Sequence, residues 1–389
     1  MDWGRGASTA RASRNESEAQ SEQGKGEMGS GLMQVADRIV EWITRERPIE
    51  RKLLVAGLAC LATVGAGPGW ALATKVFGHD ITISRIQPIP DLLSWTIGGT
   101  GGLLLIAAGL LAGIRYRDDR KDRSRHLVLT IEQRGLRDTA DTPLLDAIPQ
   151  SIKGRRQPLV VDIRDRIKDG VVTDPEAALE RVVGLPRLIE SYKNGKDPSD
   201  IVVVYGGLSP VPFTFLAGVL LDDESQIVTL DWDRASEAWR QLNSEDDGDS
   251  FKVAGIEQLP PGTTEVAVAV SVSYLVDPEA VSRSLPSSPI VELKLPRRSP
   301  DNHWSEAKQQ RLMMEFLTNM IRLADSGVKT IHLFLAAQNS VVFRLGRVYD
   351  KRNLPRVLVY QYQKGRKVEH PWSIEMPVQD VEKAAIRWL

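Results

Sequence analysis

The sequence predicts an α/β protein tied to a membrane by two helices near its N-terminal end. Three observations carry that expectation. Two long uncharged runs lie at 53–74 and 92–114. From about residue 126, short β-branched runs alternate with amphipathic stretches, and one strand–turn–helix–strand course occurs twice. Bulk composition conceals all of this. The 389 residues are 42% hydrophobic and 26% charged, with Lys+Arg 50 against Asp+Glu 51, as in an ordinary soluble protein. That balance argues against a nucleic-acid-coating protein, and the single cysteine, Cys60, excludes a disulfide framework or a Cys-rich metal site.

Residues 1–31 are rich in Ser, Gly, Glu and Arg and poor in large apolar groups, which reads as a disordered N-terminus. Over 32–52 an amphipathic helix is expected, because Leu32, Val35, Ile39, Val40 and Ile43 fall at helical spacing among charged residues. It suits either the inner membrane surface or an ordinary cytosolic position.

The two spans, LLVAGLACLATVGAGPGWALAT and LLSWTIGGTGGLLLIAAGLLAGI, make a transmembrane hairpin over 53–114. Soluble core helices of that length carry polar residues on one side, so spans fit better than a buried hairpin. Gly65 and Gly69, Gly98 and Gly102, and Gly109 and Gly113 are each four apart. The spacing suits close helix association, and glycine is also simply commoner in membrane helices. Arg45, Arg47, Arg51 and Lys52 precede the first span and six basic residues within 115–125 follow the second, whereas the connecting loop has only Lys75 and Arg85. Both termini are therefore expected in the cytoplasm of a multi-pass protein. The charged leader is too long for a cleaved signal peptide, and a second span follows.

A juxtamembrane linker is expected over 115–154, with the main domain over 155–389 in halves of about 155–255 and 264–389. Strands are expected at 127–131, 159–163, 201–205, 227–230, 266–272, 331–335 and 357–360, with helices at 175–192, 211–221, 304–325 and 340–350. In the repeat, Ile201 matches Ile331, Ser209 matches Asn339 and Phe213 matches Phe343 at a constant offset of 130. Asp-Pro-Glu-Ala also occurs twice, at Asp174–Ala177 and Asp277–Ala280.

In open α/β sheets a ligand binds beyond the carboxyl ends of the strands. Those ends here are Gly206, Gly207 and Ser209 in one half and Gln338, Asn339 and Ser340 in the other. Each segment opens a helix whose free N–H groups favour a phosphate, and Arg344 lies one turn further on. Ser271 and Ser273 end another strand near the same crevice. Trp232 and Tyr360 are aromatic candidates for base stacking, with core packing as the alternative for each, and Trp304, at a helix start, is either part of a cap with a packing staple or a ligand lid. The five histidines show no HExxH or paired metal spacing, and no phosphate-binding GxxxxGK[ST] loop or GxSxG elbow occurs. No metal, cofactor or catalytic residue is expected.

The stretch from Ile331 through HLFLAAQNSVVFRLGRVYD to VLVYQY, with Leu345, Gly346, Arg347, Val359 and Tyr360, resembles the closing part of the SAVED domain. This is a sensor of bacterial cyclic-oligonucleotide antiphage signalling systems (CBASS), and the N-terminus resembles its transmembrane type with two spans. The resemblance implies two fused Rossmann-like (CARF-like) units that bind a cyclic di- or trinucleotide made by a partner nucleotidyltransferase. It further implies ligand-driven homo-oligomerisation at the bacterial inner membrane, disruption of the lipid bilayer and abortive infection. A membrane-tethered nucleotide-processing enzyme with its site in the same crevice is the alternative, and a purely structural anchor that recruits another protein is a third.

Overall fold

A computed structural model describes residues 48–65, 71–76, 79–84, 91–193, 195–224, 226–378 and 383–389. The disorder expected over 1–31 and most of the amphipathic helix expected over 32–52 lie outside the described residues. The chain divides into two compact units, Met1–Arg120 and Lys121–Leu389.

In the first unit, α1 (Pro48–Gly65) precedes an antiparallel hairpin of β1 (Ala71–Val76) and β2 (His79–Ser84), and α2 (Asp91–Arg125) follows. α2 contains the whole second span. Its segment Trp95–Asp118, 24 residues, is among the described residues the one helix long and apolar enough to cross a membrane. Trp95, Leu103, Ile106, Leu110 and Ile114 are exposed along it, a surface suited to acyl chains. The first span departs from expectation, because α1 ends at Gly65 and residues 71–74 belong to β1. Residues 66–70, which lie between them, are outside the described residues. At 18 residues α1 is about 27 Å long, close to the hydrocarbon thickness of about 30 Å.

α1 and α2 meet at Gly57 and Gly101. A Cβ on Gly57 would stand 3.0 Å from the Gly101 carbonyl oxygen, and one on Gly101 would stand 2.9 Å from the Cβ of Cys60. The glycines with four-residue spacing are used differently: Gly102, Gly109 and Gly113 face open space.

The second unit holds two sheets. The first half runs β3 (Leu127–Arg134), β4 (Arg155–Asp162), the short pair β5 (Ile167–Lys168) and β6 (Val171–Val172), α3 (Pro175–Val183) and α4 (Leu185–Lys193). It continues with β7 (Ile201–Leu208), α5 (Val211–Leu220), β8 (Ile227–Asp233) and β9 (Ala238–Gln241). The second half runs β10 (Lys252–Ala254), β11 (Glu265–Ser271), α6 (Pro278–Ser284), β12 (Ile290–Lys294) and α7 (Glu306–Asp325). It ends with β13 (Thr330–Ala336), α8 (Asn339–Arg347), β14 (Arg356–Gln361), β15 (Trp372–Glu375) and β16 (Ala385–Trp388).

The sheet orders are β4-β3-β7-β8-β9 and β10-β12-β11-β13-β14-β15-β16. Without the flanking β10 and β16, both read second, first, third, fourth, fifth, with four parallel strands and an antiparallel fifth. This is the doubly wound order whose switch point lies between first and third strands. The duplication therefore holds in topology as well as in sequence.

Two boundaries sit elsewhere than expected. The linker over 115–154 contains β3, a strand buried along nearly its whole length between β4 and β7. β10, which falls inside the 155–255 half, pairs with β12 of the second sheet. The repeated tetrapeptide also proves not to mark the duplication. Asp174 caps α3 after the second strand, whereas Asp277 caps α6 after the first. In both cases the carboxylate accepts a backbone N–H and a proline opens the helix, one capping solution used twice.

The halves join through α5 and α8. A Cβ on Gly218 would lie 2.2 Å from the Phe343 carbonyl oxygen, and one on Gly346 would lie 2.1 Å from that of Phe215. Only glycine permits this reciprocal crossing. Around it Tyr205 stacks on Phe343 with ring centroids 3.7 Å apart, Phe213 meets Trp372 at 5.8 Å and Phe215 meets Tyr349 at 6.3 Å. Each of these buried rings contributes about 1.5–3 kcal/mol by leaving water, so the shared core holds the two halves as one body.

Candidate functional site

Because α5 and α8 cross so closely, the switch points of both sheets open onto one space. A cleft of about 700 Å³ lies beyond the carboxyl ends of β7, β8, β11, β13 and β14, at the starts of α5 and α8. The first half contributes Ser209, Asp231, Trp232 and Arg234; the second contributes Ser273, Gln338, Asn339, Tyr360, Tyr362 and Lys364.

Neither helix start is an open anion site. The Ser340 N–H at the start of α8 donates to Oδ2 of Asp231, 2.9 Å away and from the other half. Asn339 Oδ1 accepts from Thr214 Oγ1 at 2.8 Å and from the Ser209 N–H at 3.4 Å, so it bridges the halves in return. α5 begins between Pro210 and Pro212, which supply no N–H. The protein's own oxygens therefore occupy the positions expected for phosphate.

One wall of the cleft is aromatic. Tyr360 stacks on Phe334 at 4.5 Å, His370 meets Phe334 edge-on at 4.8 Å, and Tyr362 meets His370 at 5.5 Å. Burial drives the imidazoles of His303 and His332 below their ordinary value and His370 down to about 4. Burial pushes the Tyr360 hydroxyl up to about 12, and this hydroxyl lies 2.9 Å from Nδ1 of His332. Three cleft residues carry buried polar atoms without a hydrogen-bond partner, Nε1 of Trp232 and Oε1 of Gln338 and of Gln361, while His303 Nε2 stands 3.4 Å from Asp231 Oδ2.

Of the residues singled out from sequence, Ser209, Trp232, Ser273, Gln338, Asn339 and Tyr360 line the cleft. The other six do not. Gly206 accommodates Trp239 and Leu144, which a Cβ would meet at 2.8 and 2.9 Å, and Gly207 lies against the Tyr205 hydroxyl. Ser271 is buried and accepts the Val276 N–H at 3.0 Å. Ser340 is buried between Asp231 and Gln309. Trp304 is buried under the guanidinium of Arg240, 4.6 Å from the ring centre. Arg344, expected to meet a phosphate, donates instead to Glu306 Oε2 at 2.6 Å. An arginine one turn into a helix points sideways, toward whichever helix packs there; here that is α7.

Sequence reasoning missed Arg234 and Lys364 as cleft residues, although the repeat holds the signal. The offset of 130 that matches Ile201 to Ile331 also matches Trp232 to Tyr362 and Arg234 to Lys364. Both halves thus carry, within one residue of the end of the fourth strand, an aromatic residue followed two positions later by a cation.

Residues 185–376 match the family model of SAVED, the "SMODS-associated and fused to various effectors sensor domain". Residues 30–179 match that of Saf_2TM, the "SAVED-fused 2TM effector domain". The chain is therefore a SAVED sensor domain joined to a two-transmembrane effector domain. Comparison with curated proteins finds no match. Among solved structures, the Acinetobacter baumannii Cap4 SAVED/CARF-domain receptor with the cyclic trinucleotide 2'3'3'-cAAA is similar at 13% identity and a TM-score of 0.45. That match covers 74% of this chain and 58% of that one. The Moraxella osloensis Cap4 receptor gives 13% identity and a TM-score of 0.41, over 74% of this chain and 57% of that one. The chain thus spans less than two thirds of the length of either receptor.

Proposed function

We propose that this chain is a membrane-anchored receptor for a cyclic oligonucleotide, acting in CBASS-type antiphage defence. One observation carries the reading: two Rossmann-like sheets of identical strand order direct both switch points into a single cleft of about 700 Å³. A ring of repeated nucleotides suits a site built from repeated half-sites. The A. baumannii receptor, solved with the cyclic trinucleotide 2'3'3'-cAAA, supplies a ligand class to try first. The messenger would come from a partner nucleotidyltransferase in the same bacterium.

In this reading the cytosolic domain senses and the two spans act, with both termini in the cytoplasm and the short loop outside the inner membrane. Ligand binding drives self-association, the spans gather, and the bilayer is breached. The open face at Gly102, Gly109 and Gly113 supports assembly, since small residues let a helix from a second copy approach closely. The protein is a sensor and not a catalyst. Its buried cleft carboxylate, Asp231, is committed to the backbone N–H groups of Ser340 and Trp232.

Calorimetry of the detergent-solubilised full chain against cyclic di- and trinucleotides tests this. Saturable binding of at least one ring, recovered intact after incubation, is the expected result. No binding across the panel sinks the receptor reading, and turnover of a bound ring makes the protein an enzyme.

A further inference from the structure

A phosphate-bearing ring needs cations, and the floor of the cleft does not supply them. Asp231, Asp277, Asp301 and Glu369 line it against only two cationic side chains, Arg234 and Lys364. Arg283 partly neutralises this wall through Glu369 at 3.0 Å and Asp277 at 3.6 Å. Both helix starts are filled by the protein's own oxygens. Any attraction for an anion must therefore come from the lips.

The lips are unequal. On the first-half side Arg234 is exposed, but Trp232 beside it is only 5% exposed, with the Arg137 guanidinium 5.3 Å from its ring centre. On the second-half side Tyr362 is 51% exposed and opens a loop that reads YQKGRKVEH. Lys364, Arg366 and Lys367 are all exposed on it, and none of them, nor Arg234, has an ion-pair partner among the described residues. The loop is pinned at its base, where the Gln363 N–H donates to the Glu369 carbonyl at 2.7 Å and the ring of Tyr362 rests near His370. Gly365, at φ +81°, makes the turn at its tip. A rigid base under an unpaired basic tip is an arrangement for gripping an anion that arrives in the cleft.

We propose that the loop Tyr362–His370 is the phosphate-gripping and base-stacking element of this receptor. Tyr362 stacks on one base, Lys364 with Arg366 and Lys367 holds the phosphates, and Arg234 faces them from the other half. This rests on the receptor reading above. The same cations would also suit anionic lipid headgroups. However, Tyr362, Lys364 and His370 line the cleft itself, which favours the ring nucleotide.

The test uses the full chain in zwitterionic detergent and, from a panel of cyclic di- and trinucleotides, the ring that the unmodified protein binds best. Lys364→Ala with Arg366→Ala and Lys367→Ala is expected to weaken binding at least tenfold at about 0.15 M salt. It should also make the plot of log affinity against log salt shallower, since each lost cation–phosphate contact removes a salt-screened attraction. Tyr362→Ala is expected to weaken binding roughly fivefold or more, the worth of one stacked base, with the salt slope unchanged. Arg344→Ala, outside the cleft, is the control for both. Unchanged thermal unfolding shows that the variants fold. If the unmodified chain binds a ring and the triple variant binds it within twofold at the same slope, the loop assignment is wrong and the receptor reading stands. Unchanged ring binding with lost adsorption to phosphatidylglycerol vesicles assigns the loop to lipid and also overturns the proposal. If no ring binds the unmodified chain, both fall.

Discussion

The fourth strand ends differently in the two halves of the sensor. In the first half β8 carries near its end Asp231, which crosses over to cap α8, and Trp232, which is buried in a T-shaped contact with Trp239. In the second half β14 ends on Gln361 and an exposed Tyr362, and the chain then leaves as a basic loop. One scaffold has been used for two tasks. The first half spends its strand end on holding the interface, and the second leaves its strand end free for a ligand. Duplication makes such division possible, because the copy that keeps the halves together releases the other from that constraint.

The interface itself should be the costliest place to disturb. Gly218→Ala and Gly346→Ala each place a Cβ about 2 Å from a carbonyl oxygen of the opposite helix, where only backbone movement relieves the clash. Each is expected to destabilise the chain by about 3 kcal/mol or more, toward the upper end of overpacking penalties, and by similar amounts because the crossing is reciprocal. Urea unfolding followed by tryptophan fluorescence measures it. A loss below about 1 kcal/mol in either variant would show that the helices slide apart freely, and the two-task picture would lose its fixed interface.

A smaller effect separates the halves by pH. His303, His332 and His370 all belong to the second half and all sit below their ordinary value because burial disfavours the imidazolium. The unfolded chain therefore takes up protons below about pH 6.5 that the folded chain refuses, so stability is present above that pH and is lost as pH falls toward 4. For His370, whose folded value is about 4, the loss by pH 5 is about 2 kcal/mol. Hydrogen exchange at pH 5 is expected to show β13, β14 and β15 deprotected before β3 and β7. His370→Phe, which keeps a ring against Phe334, should flatten the fall in melting temperature between pH 6.5 and 5. Equal deprotection of both sheets would place the acid sensitivity elsewhere.

Much of this was legible in the chain, and the illegible part has a physical pattern. Apolar β-branched runs announce strands because burial on both faces demands it, so β3, β4, β7, β8, β11, β13 and β14 were legible, whereas β12 and the antiparallel β9, β10, β15 and β16 were not. The repeat offset was right in the strands and shifted in the helices. α5 begins at Val211 and α8 at Asn339, 128 apart, because Pro210 and Pro212 delay the first helix. Phe215, and not Phe213, is thus the partner of Phe343 across the crossing. The phosphate positions failed for another reason. A helix start looks vacant in sequence, and nothing near Ser340 announces a carboxylate 109 residues away.

Asp231 gives the finest test of the division of labour, since two roles predict opposite signs. As a cap, its carboxylate satisfies the N–H groups of Ser340 and Trp232, at 2.9 and 2.7 Å, and Asp231→Asn should cost about 1 kcal/mol of stability. As part of an acidic wall it also opposes an anionic ligand, so the same change should tighten binding of a cyclic nucleotide, by roughly two- to fivefold if the ligand phosphates lie within about 8 Å. The equivalent position, Gln361, carries no charge, and Gln361→Ala should leave the salt dependence of binding as it was. Isothermal titration of both variants beside their unfolding curves decides it. A weaker-binding Asp231→Asn would mean that this carboxylate accepts a hydrogen bond from the ligand, and that the first half reads the base as well as holding the interface.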